Sequence, residues 1–300
     1  QFPIFANGRI YCVSNNMLFS FKPADGSILF WYLNIGPVTM KDPTFVTSGN
    51  NMAIFTYSYS SYQLYFSTFD AMTGELKRST TLPTYSSTGY YSPHATGTSY
   101  GTVYLSNRNR TGVSNASVYA YDIQSYKFTD SEALVGSYGA IPALCDNKVI
   151  TSGYYAYTNA FNPSPDFSFQ WAFPGEQFYT SSSVVPPPVC MKNKNGYRVI
   201  VKPGVYQGYN CYVLDTLTGE QQGLFQCGDI PLIHYDNEGN ADVAVIATGV
   251  TSPTYQVLVT QMDGDNVNSK ELWYGPGDTN HGFIIKDYFV TAYKPSSSTY

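Results

Sequence analysis

Charge is scarce in this chain: Asp, Glu, Lys and Arg together make 12% of 300 residues, and no block carries one sign. Sixteen scattered Lys and Arg against 21 Asp and Glu leave a net charge of −5. Nucleic acid binding needs clustered cations to neutralise phosphates, so that class of partner is excluded. Long apolar runs are missing too. The longest, ADVAVIATGV at Ala241–Val250, is about half of what a membrane-spanning helix requires. The helix formers Ala, Leu, Glu and Lys are sparse, which argues against a helical fold. Histidine occurs three times, as His94, His234 and His281. There is no HExxH, CxxC, GxSxG or phosphate-cradling glycine loop, so the common hydrolase, redox and nucleotide-binding constellations are absent.

What the chain has instead is 17% aromatic residues, including 29 Tyr, in a background of Ser, Thr, Asn and Gln. Tyr, Phe, Val and Thr suit pleated, half-buried surfaces, and the expectation is an all-β protein. Self-similarity sharpens it. FSFKPADGSILFW at Phe19–Trp31 is an aromatic strand, a turn ending in Gly, and a second strand carrying Trp. The phrase returns as YFSTFDAMTGELKRS at Tyr65–Ser79, SVYAYDIQSYKFTD at Ser117–Asp130 and NAFNPSPDFSFQW at Asn159–Trp171. CYVLDTLTGEQQGLF at Cys211–Phe225 and VLVTQMDGDNVNSKELW at Val257–Trp273 follow, and FVTAYKPSSS closes the series near the C terminus.

Reference positions at Lys22, Asp70, Asp122, Asn162, Asp215, Met262 and Lys294 give gaps of 48, 52, 40, 53, 47 and 32. A period in the forties is that of a four-stranded propeller blade. Residues 1–300 are therefore expected to form one β-propeller domain of seven four-stranded blades, with six as the alternative. The last gap is short, and little precedes the first repeat except QFPIF. Pairing of the N- and C-terminal segments in one blade would explain both deficits and leave no open edge.

The repeat resembles that of quinoprotein-dehydrogenase-like (PQQ-like) propellers, on LDTLTGEQQ, FDAMTGELK and FKPADGSILFW. The resemblance implies the fold and not the chemistry. Trp occurs only at Trp31, Trp171 and Trp273, and no quinone-ligand constellation accompanies it, so PQQ is not expected. A second stretch, HYDNEGNADVAVIAT from His234, resembles the calcium loop of integrin-type (FG-GAP) propeller repeats. That resemblance implies Ca²⁺ held by Asp236, Glu238 and Asp242 with Asn240, because alternating oxygens on a Gly turn converge on one point. His234 stands where that family has its first Asp, and a plain polar hairpin turn without an ion is the competing reading.

Five cysteines cannot all pair with one another. Cys211 and Cys227 flank an expected hairpin, and Cys145 and Cys190 occupy similar places in successive repeats, so these four are expected to form two disulfides. Cys12 is left over. Asn109 and Asn115 head two glycosylation sequons in SNRNRTGVSNAS, expected as an exposed loop. Together these features indicate an extracellular or cell-surface address.

Catalysis has two thin candidates, His94 and His234. Propeller-type polysaccharide lyases use His and Tyr on uronic acids, and YYSPHATGTSYGTVY brings His94 near several Tyr. So much Tyr makes such a coincidence ordinary. The preferred expectation is a non-catalytic glycoprotein, either an assembly subunit of a fibre or coat or a recognition module. Its partners would be glycans, extracellular matrix proteins or further copies of itself, with exposed Tyr as the contact.

Overall fold

The computed structural model describes residues 4–14, 17–33, 44–58, 63–81, 94–99, 101–106, 117–134, 142–152, 157–174, 187–202, 210–248, 256–277, 279 and 282–291. Every regular element among them is a β-strand. Two compact units emerge, one formed by Gln1–Leu144 with Asn162–Phe169, the other by Cys145–Phe161 with Gln170–Tyr300.

In the first unit, β1 (Ile4–Ala6), β2 (Arg9–Ser14), β3 (Met17–Phe21) and β4 (Ile28–Leu33) form an antiparallel sheet in chain order. The second sheet is β5 (Thr44–Ser48), β6 (Asn51–Ser58), β7 (Gln63–Asp70) and β8 (Leu76–Thr81). The third is β9 (His94–Ser99), β10 (Thr102–Ser106), β11 (Ser117–Asp122) and β12 (Lys127–Ala133). Side chains alternate across each strand, and the inward sets build two apolar layers. Tyr11, Val13 and Leu18 of the first sheet pack on Met52, Ile54 and Phe69 of the second. Phe66 and Ala53 of the second pack on Val103 and Tyr121 of the third. Burial pushes the Tyr121 phenol up to about 12.

The second unit continues the pattern. Its sheets are β13 (Pro142–Cys145), β14 (Lys148–Ser152), β15 (Tyr157–Phe161) and β16 (Phe169–Pro174), then β17 (Val189–Asn193), β18 (Gly196–Val201), β19 (Asn210–Asp215) and β20 (Gln221–Gln226). A sixth sheet contains β21 (Leu232–Tyr235), β22 (Ala241–Thr248), β23 (Gln256–Asp263) and β24 (Asn266–Pro276). Both expected disulfides form. Cys145–Cys190 links β13 to β17 with α-carbons 5.2 Å apart, and Cys211–Cys227 ties β19 to the end of β20 at 5.9 Å.

The last repeat is described only in part. Among the described residues there are six four-stranded sheets and one two-stranded sheet, β25 (Phe283–Ile285) with β26 (Tyr288–Val290). Tyr288–Val290 follows a tight turn at Lys286, whose φ is 50°, and the closing phrase from residue 292 onward lies outside the described residues. That turn resembles Asn7-Gly8 and Asp146-Asn147, which join the first two strands of their own sheets with positive φ at both residues. In the first sheet Ile4–Ala6 pairs with β2 as its first strand.

The repeated aspartates explain themselves at the third turn of each sheet. Asp70 Oδ1 accepts from the N–H groups of Met72 and Thr73, Asp122 from Gln124 and Ser125, and Asp215 from Leu217 and Thr218. Each carboxylate satisfies two turn donors that no ladder could reach. The Gly that follows takes φ of +76° at Gly74 and +74° at Gly219, a conformation costly for residues with a β-carbon.

Candidate functional site

One device recurs between several consecutive sheets. In β4, β12 and β20 a β-bulge breaks the register, and the residue just after it reaches the third turn of the next sheet. Phe30 follows the bulge opposite Ser20 and Phe21, and its ring covers Gly74, where a β-carbon would come within 2.5 Å. Asp130 holds the same place in β12 and accepts a 2.9 Å hydrogen bond from the Ser164 hydroxyl. Trp171 covers Gly219, where a β-carbon would come within 2.6 Å, and its indole N–H donates to the Thr216 carbonyl at 3.1 Å. In the fifth sheet the residue is Gly223, and the Asp265 carbonyl comes so close that a side chain there would collide.

Two members of the series differ among the described residues. Gly26 has φ +70° and a turn closed by its N–H on the Lys22 carbonyl, as Gly219 closes on Asp215. No ring covers it: nothing lies within 4 Å of where its β-carbon would be. Conversely, Trp273 follows the bulge in β24 and pairs with Val259. Its ring folds over its own neighbour Gly275 and remains 44% exposed. The two-stranded sheet lies against β21, the first strand of the sixth sheet.

The outward face of the first sheet is also bare. Pairing places Phe5, Ile10, Phe21 and Ile28 on it, with Cys12, Phe19 and Trp31 alongside. Phe5 is 70% exposed, Ile28 56% and Trp31 58%. Cys12 stays unpaired and half-buried within that face, and burial raises its thiol pKa, which makes it a poor nucleophile.

The polar groups of the second unit are arranged for holding. Arg198, 7% exposed, donates to Asp265 and Asp215 at 2.9 Å each and to the backbone carbonyls of Tyr197 and Asn195. Burial pushes the Asp265 carboxyl up, but hydrogen bonds from Asn193 and Asn195 and the Arg198 charge outweigh it and hold the pKa low. Buried Lys202 donates to the Gly228 carbonyl, and desolvation lowers its pKa.

In the region resembling a calcium loop, Asp236 Oδ1 accepts from the N–H groups of Glu238 and Asn240, the Asn240 bond being first among the causes that lower its pKa. Asp242 pairs with His234 Nδ1 at 2.7 Å, while Asp287 lies 3.5 Å from Nε2. The bond to Asp242 raises the His234 pKa. Asp236 thus caps its own turn, and Asp242 holds His234. Among the described residues no three His, Cys, Asp or Glu side chains gather to hold a metal. His94 opens β9, but its side chain lies outside the described residues, as do Asn109 and Asn115.

No protein-family model and no curated protein matches the chain. Solved structures do. BamB from Moraxella catarrhalis matches with a TM-score of 0.58 at 15% identity, over 91% of this chain and 71% of that one. The quinohemoprotein alcohol dehydrogenase ADHIIG from Pseudomonas putida HK5 matches at 0.61 and 12%, over 91% of this chain and 60% of that one. The computationally designed Ika8 protein matches at 0.57 and 12%, over 97% and 92%. The fold is a PQQ-like β-propeller. A ring-on-glycine contact joins neighbouring sheets at Gly74 and Gly219, and the sequence reading missed it. The Arg198 clasp was missed as well, because its partners lie 67 and 17 residues away.

Proposed function

We propose that this propeller is a non-catalytic glycoprotein, secreted or held at the cell surface, that works by assembling with other protein chains. The observation that supports the reading best is the open apolar face of the first blade, with Phe5, Ile28 and Trp31 more than half exposed. Stacking on sugars also uses aromatic faces, but sugar sites pair them with convergent polar groups. This face presents aliphatic and aromatic carbon, so its partner is a protein surface. The two disulfides suit an oxidising compartment. Asn109 and Asn115 would carry glycans, and expression in a glycosylating host with enzymatic deglycosylation tests this. The wild-type band is expected to shift and the Asn109→Gln/Asn115→Gln band not to; no shift in either refutes the glycoprotein assignment.

A second reading, a lyase acting on uronate-rich polysaccharide, is favoured by the His234–Asp242 pair alone. Unsaturated product absorbance on such polysaccharides, lost in His234→Ala, would establish it and end the non-catalytic reading. The expected result is no product.

A further inference from the structure

His234, Asp242 and Asp287 converge from three places in the second unit: β21, β22 and the turn between β25 and β26. Asp242 Oδ1 lies 2.7 Å from His234 Nδ1. An ionised carboxylate can only accept, so Nδ1 carries the hydrogen and the neutral ring turns the lone pair of Nε2 toward Asp287. Nε2 and Asp287 Oδ1 then face each other as two acceptors 3.5 Å apart. That gap is wide for an N–H···O bond, whose usual range ends at about 3.2 Å. It fits two ligands of one metal ion, since bonds of about 2.1 Å at a tetrahedral angle hold N and O about 3.4 Å apart. The Asp287 side chain is 88% exposed and that of His234 22%, so an ion has a way in.

We propose that His234 and Asp287 bind a zinc-like divalent transition metal, with Asp242 as the positioning residue behind the imidazole. Imidazole with carboxylate suits Zn²⁺ and Cu²⁺, whereas Ca²⁺ asks for six or more oxygens that these side chains do not bring. A carboxylate behind a ligating His fixes the ring on the metal and raises its basicity. The ion takes the place of the Nε2 proton, and water completes its shell. It joins the turn at Asp287 to the first strand of the sixth sheet. The site is separate from the turn at Asp236, whose carboxylate is occupied by the N–H groups of Glu238 and Asn240. It does not depend on the assembly reading.

Calorimetric titration of the full chain with Zn²⁺ tests it. Wild type should show saturable binding, and its unfolding temperature should rise with Zn²⁺ and not with Ca²⁺. Losing an outer partner of a ligating His costs about 10- to 100-fold in metal affinity, so Asp242→Asn should weaken binding by that much. His234→Gln and Asp287→Asn, which remove ligands, should weaken it further. Asp287 is exposed, so Asp287→Asn is expected to fold, which circular dichroism checks. Co²⁺ in place of Zn²⁺ should give the visible absorption of a tetrahedral site, lost in Asp287→Asn. No saturable Zn²⁺ binding by wild type overturns the proposal. So does binding that stays at the wild-type level in His234→Gln, Asp287→Asn or Asp242→Asn.

Discussion

The joint at Gly219 and the bare turn at Gly26 are built from the same backbone, yet one is filled and the other is open. At Gly219 the ring is buried to 9% exposure, its N–H is satisfied and a neighbouring cluster of buried charge locks the turns together. At Gly26 the neighbouring charges, Lys22 and Asp25, form an exposed pair 3.6 Å apart that contributes little. Local sequence makes the socket; only a stacked neighbour turns it into stability.

The sharpest way to break this comparison is to remove the rings. Trp171→Ala should cost about 5 kcal/mol, since it loses a large buried side chain and strands a carbonyl. Trp273→Ala should cost less than about 1 kcal/mol in the monomer. Denaturant unfolding at low protein concentration measures both, and equal losses would erase the distinction. Arg198→Met comes next. It leaves Asp265 and Asp215 near one another without their cation, and about 4 kcal/mol should go, read by the same unfolding curves.

The Cys211–Cys227 link closes a span of 16 residues, so Cys211→Ser/Cys227→Ser should cost about 3 kcal/mol. The first blade has no disulfide among its described residues, and its local hydrogen exchange should be unchanged in that variant. The smallest effect concerns pH. Because the pKa of His234 is raised in the folded state, its pairing stabilises fully below about pH 6.5 and is lost as pH rises through the folded value. His234→Gln should flatten that slope in a thermal-unfolding pH series, and an unchanged slope would refute the pairing.

Much of this architecture was legible in the chain. Asp70, Asp122 and Asp215 announced their turns because an Asx residue satisfies local donors whatever surrounds it. The two disulfides were legible because their cysteines sit at matched places in a repeat. Of the last repeat, Tyr288–Val290 pairs with Phe283–Ile285 across the turn at Lys286, and the rest of FVTAYKPSSS lies outside the described residues. The candidate site was less accessible. A bulge decides whether Phe30 or Trp31 faces the next blade, and sequence alternation does not place bulges. HYDNEGNAD resembles a cation loop, and the pairing of Asp242 with His234 is not legible in that resemblance.

The sequence alone determined strand character, turn chemistry and period, because these follow from interactions among residues a few positions apart. Which ring finds which glycine, whether Arg198 is clasped, and which sheet face stays bare were decided by tertiary stacking. Those contacts join residues dozens of positions apart, and their energies depend on burial that no local pattern encodes.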